Sequence, residues 1–172
     1  MLDPIYLTDS TFLGWTKSIV SDNILTVYVD KSMKGLTSYT TQMIESTDWM
    51  LGVDFKIVNK AKKADIRFYQ VMRFIDGNPF KLGKAEYNQT YWNVYVRENH
   101  PLNVRKWIVN HEFGHTLGLE HPFSAYDGDY YLSTNPKESA TTKDTIMGYT
   151  IEGGYPSKWR TADYDALTGM WG

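Results

Sequence analysis

Three of the four histidines in this 172-residue chain fall within eleven residues: His111-Glu112-Phe113-Gly114-His115-Thr116-Leu117-Gly118-Leu119-Glu120-His121. The form is H-E-x-x-H-x-x-G-x-x-H, a spacing that chemistry can use. On a helix, His111 and His115 lie four apart and stack on one face. Two neutral imidazoles fixed in this way can coordinate one Zn2+ at about 2.0–2.1 Å. Glu112 lies about 100° further round, off the metal but within reach of a water bound to it. Gly118 can take a positive φ, stop the helix and turn the chain back. That turn brings His121 round as a third ligand. Three histidines leave a fourth position for water, which marks a catalytic rather than a closed structural site. Zinc lowers the pKa of such a water to about 7. Glu112 can then take its proton as the water attacks a carbonyl carbon, and pass it to the leaving amine as a general acid. The reaction these groups point to is hydrolysis of a peptide bond. Five fixed positions at roughly one in twenty each give a chance match of about one in a few million windows, so coincidence is a poor account of the pattern.

The elements needed to hold these groups are legible nearby. Leu25–Val29 is rich in β-branched and aromatic residues and predicts a strand. Residues 37–51 carry apolar positions near helical spacing, with Gly52 placed to end the helix. Val53–Val58 and Ala64–Tyr69 alternate as strands do, separated by a basic turn from Asn59 to Lys63. Asp76-Gly77-Asn78-Pro79 is a loop signal, and two short strands are expected near 83–87 and 91–97. The motif helix opens at Asn103-Val104 and runs to about Leu117. Pro122 to Thr145 is dominated by loop-forming residues, a length that is usually functional or mobile. Thr161 is placed to cap a last helix, with Asp163 and Asp165 in its first turns. Residues 1–22, with Pro4, Asp9-Ser10-Thr11 and Gly14, are expected to form an irregular arm packed along the lower part of the molecule.

Together these elements predict an α/β domain (α+β by some schemes). It has a twisted, mostly parallel, mixed five-stranded sheet over an active-site helix, with a smaller irregular C-terminal lobe. One domain is expected over residues 1–172, with an upper lobe of about 12–118 and a lower lobe of about 119–172. The formal net charge of −2 comes without a basic stripe and argues against a nucleic-acid partner. No apolar run approaches the length of a membrane span. The first twenty residues lack a basic stretch followed by an apolar run, so no secretory signal is visible. The absence of cysteine removes disulfides, thiolate ligands and any thiol that could cap a zinc. Thirteen Tyr, seven Phe and six Trp suit a small aromatic core, with some rings available to line a cleft that grips extended chains.

At this point the sequence resembles the metzincin metalloproteases, and within them the serralysin and matrixin branch. The resemblance rests on the eleven-residue motif, on Pro122 after the third histidine, and on Thr145-Ile146-Met147-Gly148-Tyr149, which is similar to the Met-turn. Ala64–Phe68 and the segment from Ala162 to Gly172 add to it. Thr145 and Gly148 depart from the residues most common at those positions. The resemblance implies a zincin-like fold, a zinc endopeptidase activity, a polypeptide substrate, a monomeric catalytic domain and an extracellular location. It implies zinc ligation by His111, His115 and His121, Glu112 as base and acid, and Met147 as a hydrophobic base under the histidines. It also implies a role for Tyr149, whose phenol can ligate zinc and swing to stabilise the oxyanion. Gly83 to Tyr87 would be an antiparallel edge strand to which substrate adds, and Tyr155, Pro156 and Ser157 would line the pocket for the residue after the scissile bond. No glycine-rich nonapeptide repeats follow, so their calcium and secretion roles are not carried over, and a bare catalytic domain is expected.

Two other readings stay open on the residues alone: a metal-binding structural or assembly protein of the same fold without proteolytic activity, and a zinc hydrolase acting on a non-peptide amide. Asp127-Gly128-Asp129, with Asn135 nearby, resembles a Ca2+ loop only loosely and lacks the full twelve-residue spacing. His100, outside the motif spacing, and the cluster Lys60, Lys62 and Lys63 are expected at the surface. Asp3, Asp9 and Asp22 are candidates for an arm aspartate that would hold the zinc latent.

Overall fold

The computed structural model describes residues 1–123, 130–133, 135 and 140–172. Its centre is a five-stranded sheet in the order β2-β1-β3-β5-β4. The strands are β1 (Ile24–Val29), β2 (Asp54–Ile57), β3 (Ile66–Val71), β4 (Gly83–Tyr87) and β5 (Trp92–Arg97). Four run parallel, and β4 is antiparallel to β5, pairing Gly83 with Val96 and Tyr87 with Trp92. This is the mixed, mostly parallel sheet expected, and β4 stands at its edge.

Alternation along the strands buries one face. Leu25 and Val27, Ile66 and Phe68, and Trp92, Val94 and Val96 all point into the core. Helices α2 (Thr37–Leu51) and α3 (Leu102–Thr116) cover that face, α2 through Met43, Ile44 and Leu51 and α3 through Ile108, Val109 and Phe113. Phe113 anchors α3 edge-on to Phe55 and tilted against Phe68, with ring centroids 5.8 and 5.7 Å apart. Burial of side chains this large contributes on the order of 2–3 kcal/mol each. Gly52, just past α2, has φ +66°, as its position at the helix end requires.

The N-terminus departs from the sequence reading. Residues 1–22 do not form an irregular arm: Pro4–Leu7 is a 3-10 turn and Ser10–Ile19 is helix α1. The Asp9 carboxylate accepts from Phe12 N–H at 2.7 Å and so caps α1, a role that Asp9-Ser10-Thr11 also permits in a loop. Asp3 caps the 3-10 turn in the same way, accepting from Ile5 N–H at 3.0 Å. Both side chains thus serve local backbone, not the metal-latency role considered for them. The arm does pack on the chain after α3. Thr8 forms an antiparallel bridge with Leu119, Asp9 N–H donates to Gly118 O at 2.8 Å, and Glu120 N–H donates to Leu7 O at 2.9 Å.

The described residues from Leu117 to Arg160 are turns and isolated bridges, after which α4 spans Thr161–Trp171. Thr161 is the first residue of α4 and not its cap. Instead, Asp163 reaches back to accept from Arg160 N–H at 2.7 Å. Lys60, Lys62 and Lys63 are exposed around a single 3-10 turn, Ala61–Lys63. His100, just past the end of β5, is half-buried and lies near Arg97. The calcium loop expected at Asp127-Gly128-Asp129 lies outside the described residues. Among the described residues no helix is long and apolar enough to cross a membrane.

Candidate metal centre and cleft

Helix α3 carries His111, Glu112 and His115 into the interior, and every residue from Trp107 to Thr116 is buried. Gly118 follows with φ +98°, a conformation that L side chains rarely adopt, and turns the chain under the helix. A Cβ at that position would also lie 3.0 Å from Leu13 Cβ and 3.1 Å from Met170 Sδ. The turn delivers His121. The bridge from Thr8 to Leu119 and the Glu120–Leu7 bond then pin the two residues between Gly118 and His121 to the N-terminal segment. One ligand atom from each of His111, His115 and His121 falls within 4.8 Å of the others, and the three could hold a metal ion.

The rings are oriented from outside the cluster. His111 Nδ1 lies 2.8 Å from Ile146 O and His115 Nδ1 lies 2.8 Å from Leu119 O. A carbonyl oxygen only accepts, so each Nδ1 carries the proton and each Nε2 presents its lone pair. His111 Nε2 and His121 Nε2 are 2.9 Å apart. Burial pushes all three imidazoles toward the neutral form: His111 to about 4, His115 to about 3, and His121 well below the usual range, with the neighbouring imidazoles adding to the effect at His115 and His121. Neutral imidazoles with inward lone pairs are the donor set that a borderline metal such as zinc takes. The residues therefore fit the ion that the motif implies.

Glu112 is buried beside the cluster. Burial pushes its carboxyl up to about 8, against a hydrogen bond with the Ala85 backbone and the charge of Lys81. That hydrogen bond ties it to β4, the edge strand. The approach is close because position 83 is glycine: a Cβ there would sit 2.5 Å from Glu112 Oε1 and 2.5 Å from Ile108 Cγ2. Gly83 was read only as strand, and nothing short-range in the sequence marks its proximity to a residue 29 positions away. Tyr149 is 52% exposed, with its ring centroid 4.7 Å from that of His121 and 5.6 Å from that of His111. Desolvation in the cleft, then the charges of Glu112 and Glu120, push its phenol up to about 12.

The turn from Thr145 to Tyr149 is built from within. The Asp163 carboxylate accepts from Thr145 Oγ1 and, at 3.1 Å, from Ile146 N–H. Ile146 O then accepts from Trp107 Nε1 at 3.0 Å and from His111 Nδ1. Asp163 thus acts on the first histidine through a single residue, Ile146, a role beyond that of a charge in the first turn of a helix. Met147 is fully buried in the core that also holds Phe113 and Leu119. On one side of Glu112 lies a cavity of about 390 Å3, lined by Phe80, Trp107, Ile108, Ile151 and Tyr155 among others. Tyr155 lines it as expected. Pro156 and Ser157 do not: Pro156 is buried, and Ser157 O accepts from Tyr39 OH at 2.7 Å on the far side of α3.

No family model matches this chain, and no curated protein does. Among solved structures, two of myroilysin are similar. One aligns at a TM-score of 0.55 and 12% identity over 91% of this chain and 97% of that one. The other aligns at 0.56 and 14% identity over 90% of this chain and 86% of that one. At these identities the likeness concerns the fold: a mixed five-stranded sheet with helices in the zincin-like arrangement.

Proposed function

We propose that this chain is a zinc endopeptidase of the metzincin kind, a single catalytic domain with a cleft between an upper lobe of about residues 12–118 and a lower lobe of about 119–172. The observation that carries the reading is the convergence of three neutral imidazoles beside a buried carboxyl and a sheet edge. His111, His115 and His121 would hold the ion, and two backbone carbonyls help to aim the first two rings. When bound, zinc supplies Lewis acidity toward a water and toward the carbonyl oxygen of the scissile bond.

The remaining steps belong to the protein. Glu112 takes a proton from the attacking water and delivers it to the departing amine nitrogen. Its carboxyl is buried beside the histidine cluster, where it can both take and give a proton. Tyr149, beside His111 and His121, donates its hydroxyl proton in a hydrogen bond to the oxygen on which charge develops. The free edge of β4 pairs with an extended polypeptide, which fixes the scissile bond over Glu112. The resemblance to metzincins, the serralysin and matrixin branch included, supports an extracellular polypeptide substrate and a monomer.

Casein digestion by the purified chain, with and without a chelator, tests the reading. Cleavage that the chelator abolishes and added zinc restores is expected. A chain that retains zinc by elemental analysis and cuts no polypeptide would instead be a metal-binding protein of the same fold.

A further inference from the structure

A second cavity, of about 260 Å3, opens on the other side of Glu112 and shares Gly83, Glu112 and Tyr149 with the first. Its far wall is aromatic and comes from two places in the chain: Phe12 and Trp15 on α1, and Tyr87 and Trp92 on the β4–β5 hairpin. The rings form one packed set. Trp15 stacks on Tyr87 with centroids 5.0 Å apart and planes 8° apart, and Tyr87 leans on Trp92 at 5.2 Å. Phe12 meets Trp92 and His115 edge-on at 5.8 and 5.7 Å. Trp92 is 1% exposed, whereas Trp15 is 38% exposed, so the set runs from the core out to the cleft rim.

We propose that this aromatic shelf receives a large apolar side chain on the amino-terminal side of the scissile bond, so that the substrates are polypeptides with large apolar residues on both sides of the cut. The inference rests on the proposed endopeptidase activity. Strand direction gives it polarity. Antiparallel pairing is the more stable per residue, and β4 runs from Gly83, beside the first cavity, to Tyr87, beside the shelf. A substrate strand added antiparallel to β4 therefore passes the shelf first and the Trp107–Tyr155 cavity second. Because the two cavities abut at Gly83, Glu112 and Tyr149, an extended chain crossing the site places neighbouring residues in both. Rings exposed at a rim and backed by buried rings favour apolar or aromatic side chains, since burying them removes apolar surface from water on both partners.

The test is a digest of a peptide library by the zinc-loaded chain, with the residues flanking each cut read by mass spectrometry. Large apolar residues before the cut should be enriched. For matched peptides with Phe or Ala at that position, kcat/KM should favour Phe by about tenfold. Trp15→Ala should bring that ratio close to one while the preference after the cut and the metal content stay as in the parent. Trp15→Leu should shift the preference from aromatic to aliphatic residues, and it keeps the test open should the alanine variant fold poorly. Cleavage with no preference before the cut, or a Trp15 effect that appears after the cut, overturns the shelf and leaves the endopeptidase reading standing. A wild-type chain that retains zinc and cuts no peptide overturns both.

Discussion

Helices α3 and α1 meet at His115, where Phe12 packs edge-on to the imidazole, yet they are held in different ways. All ten residues from Trp107 to Thr116 of α3 are buried, and two of its histidines are each fixed by a carbonyl from another segment. Helix α1 buries only Thr16. It is held by its Asp9 cap, by contacts from Phe12 and Ile19, by the stack of Trp15 on Tyr87, by Lys17 Nζ, which donates to Met170 O at 2.8 Å, and by one buried hydroxyl: Thr16 Oγ1 accepts from Trp92 Nε1 at 2.9 Å and donates to Thr116 O at 2.5 Å. The proposed chemistry thus sits on an element locked from several directions. The proposed specificity wall sits on one that buries a single residue and is held largely through half-exposed side chains, and such elements can vary without disturbing the histidine cluster.

The contrast can be broken from the α3 side first. Glu112→Ala should retain zinc by elemental analysis and lose peptide hydrolysis by about 10³-fold; full activity in that variant would remove Glu112 from the mechanism. Gly83→Ala should lower kcat by about 10²-fold and also lower Tm, with zinc content retained, because the added methyl collides with Glu112 and with the buried Ile108 and displaces the carboxyl from its work. An unchanged kcat would show that β4 can retreat at no cost to the site.

The turn from Thr145 to Tyr149 offers a pH signature. Burial lifts the Asp163 carboxyl from 3.8 to about 6, against hydrogen bonds from Thr145, Arg160 and Ile146. Between those values the native chain holds a proton that the unfolded chain has released. Its contribution to stability is therefore full below the unfolded value and is lost as pH rises through about 6, on the order of 2–3 kcal/mol in all. Urea unfolding from pH 4 to 7 should show this fall, and Asp163→Asn should flatten it; a variant with the parental slope would place the titration elsewhere.

The α1 side should give smaller effects. Thr16→Val leaves the Trp92 indole and the Thr116 carbonyl without their partner and should cost about 2 kcal/mol, read as a lower Tm. Asp9→Ala removes the cap and should cost about 1 kcal/mol, with zinc content unchanged. A loss of zinc in either variant would mean that α1 supports the metal more directly than its shallow burial suggests.

The extent to which each region could be read in advance follows the range of its interactions. The motif helix, the strands β1, β3, β4 and β5, the end of α2 at Gly52 and the turn at Gly118 all appear close to where their local patterns put them. Helix α1 was hidden because its apolar positions (Phe12, Leu13, Trp15 and Ile19) make sense only against Trp92, Tyr87 and Gly118, which come much later in the chain. Thr161 looked like a cap by type, but the Asp163 carboxylate already satisfies the Arg160 amide.

By itself, the sequence determined the candidate ligand set His111, His115 and His121, the place of Glu112 one residue along the helix, and the alternation that builds the sheet. These follow from the helical repeat, the φ freedom of one glycine and the two-residue period of a strand, all properties of short stretches. Only the tertiary structure decided that Gly83 lets the sheet edge reach Glu112, that Asp163 steadies the peptide behind His111, and that a helix near the N-terminus walls one side of the cleft. Each depends on groups separated by 17 to 100 positions, and no local spacing rule can state a contact that the packing of the whole chain brings about.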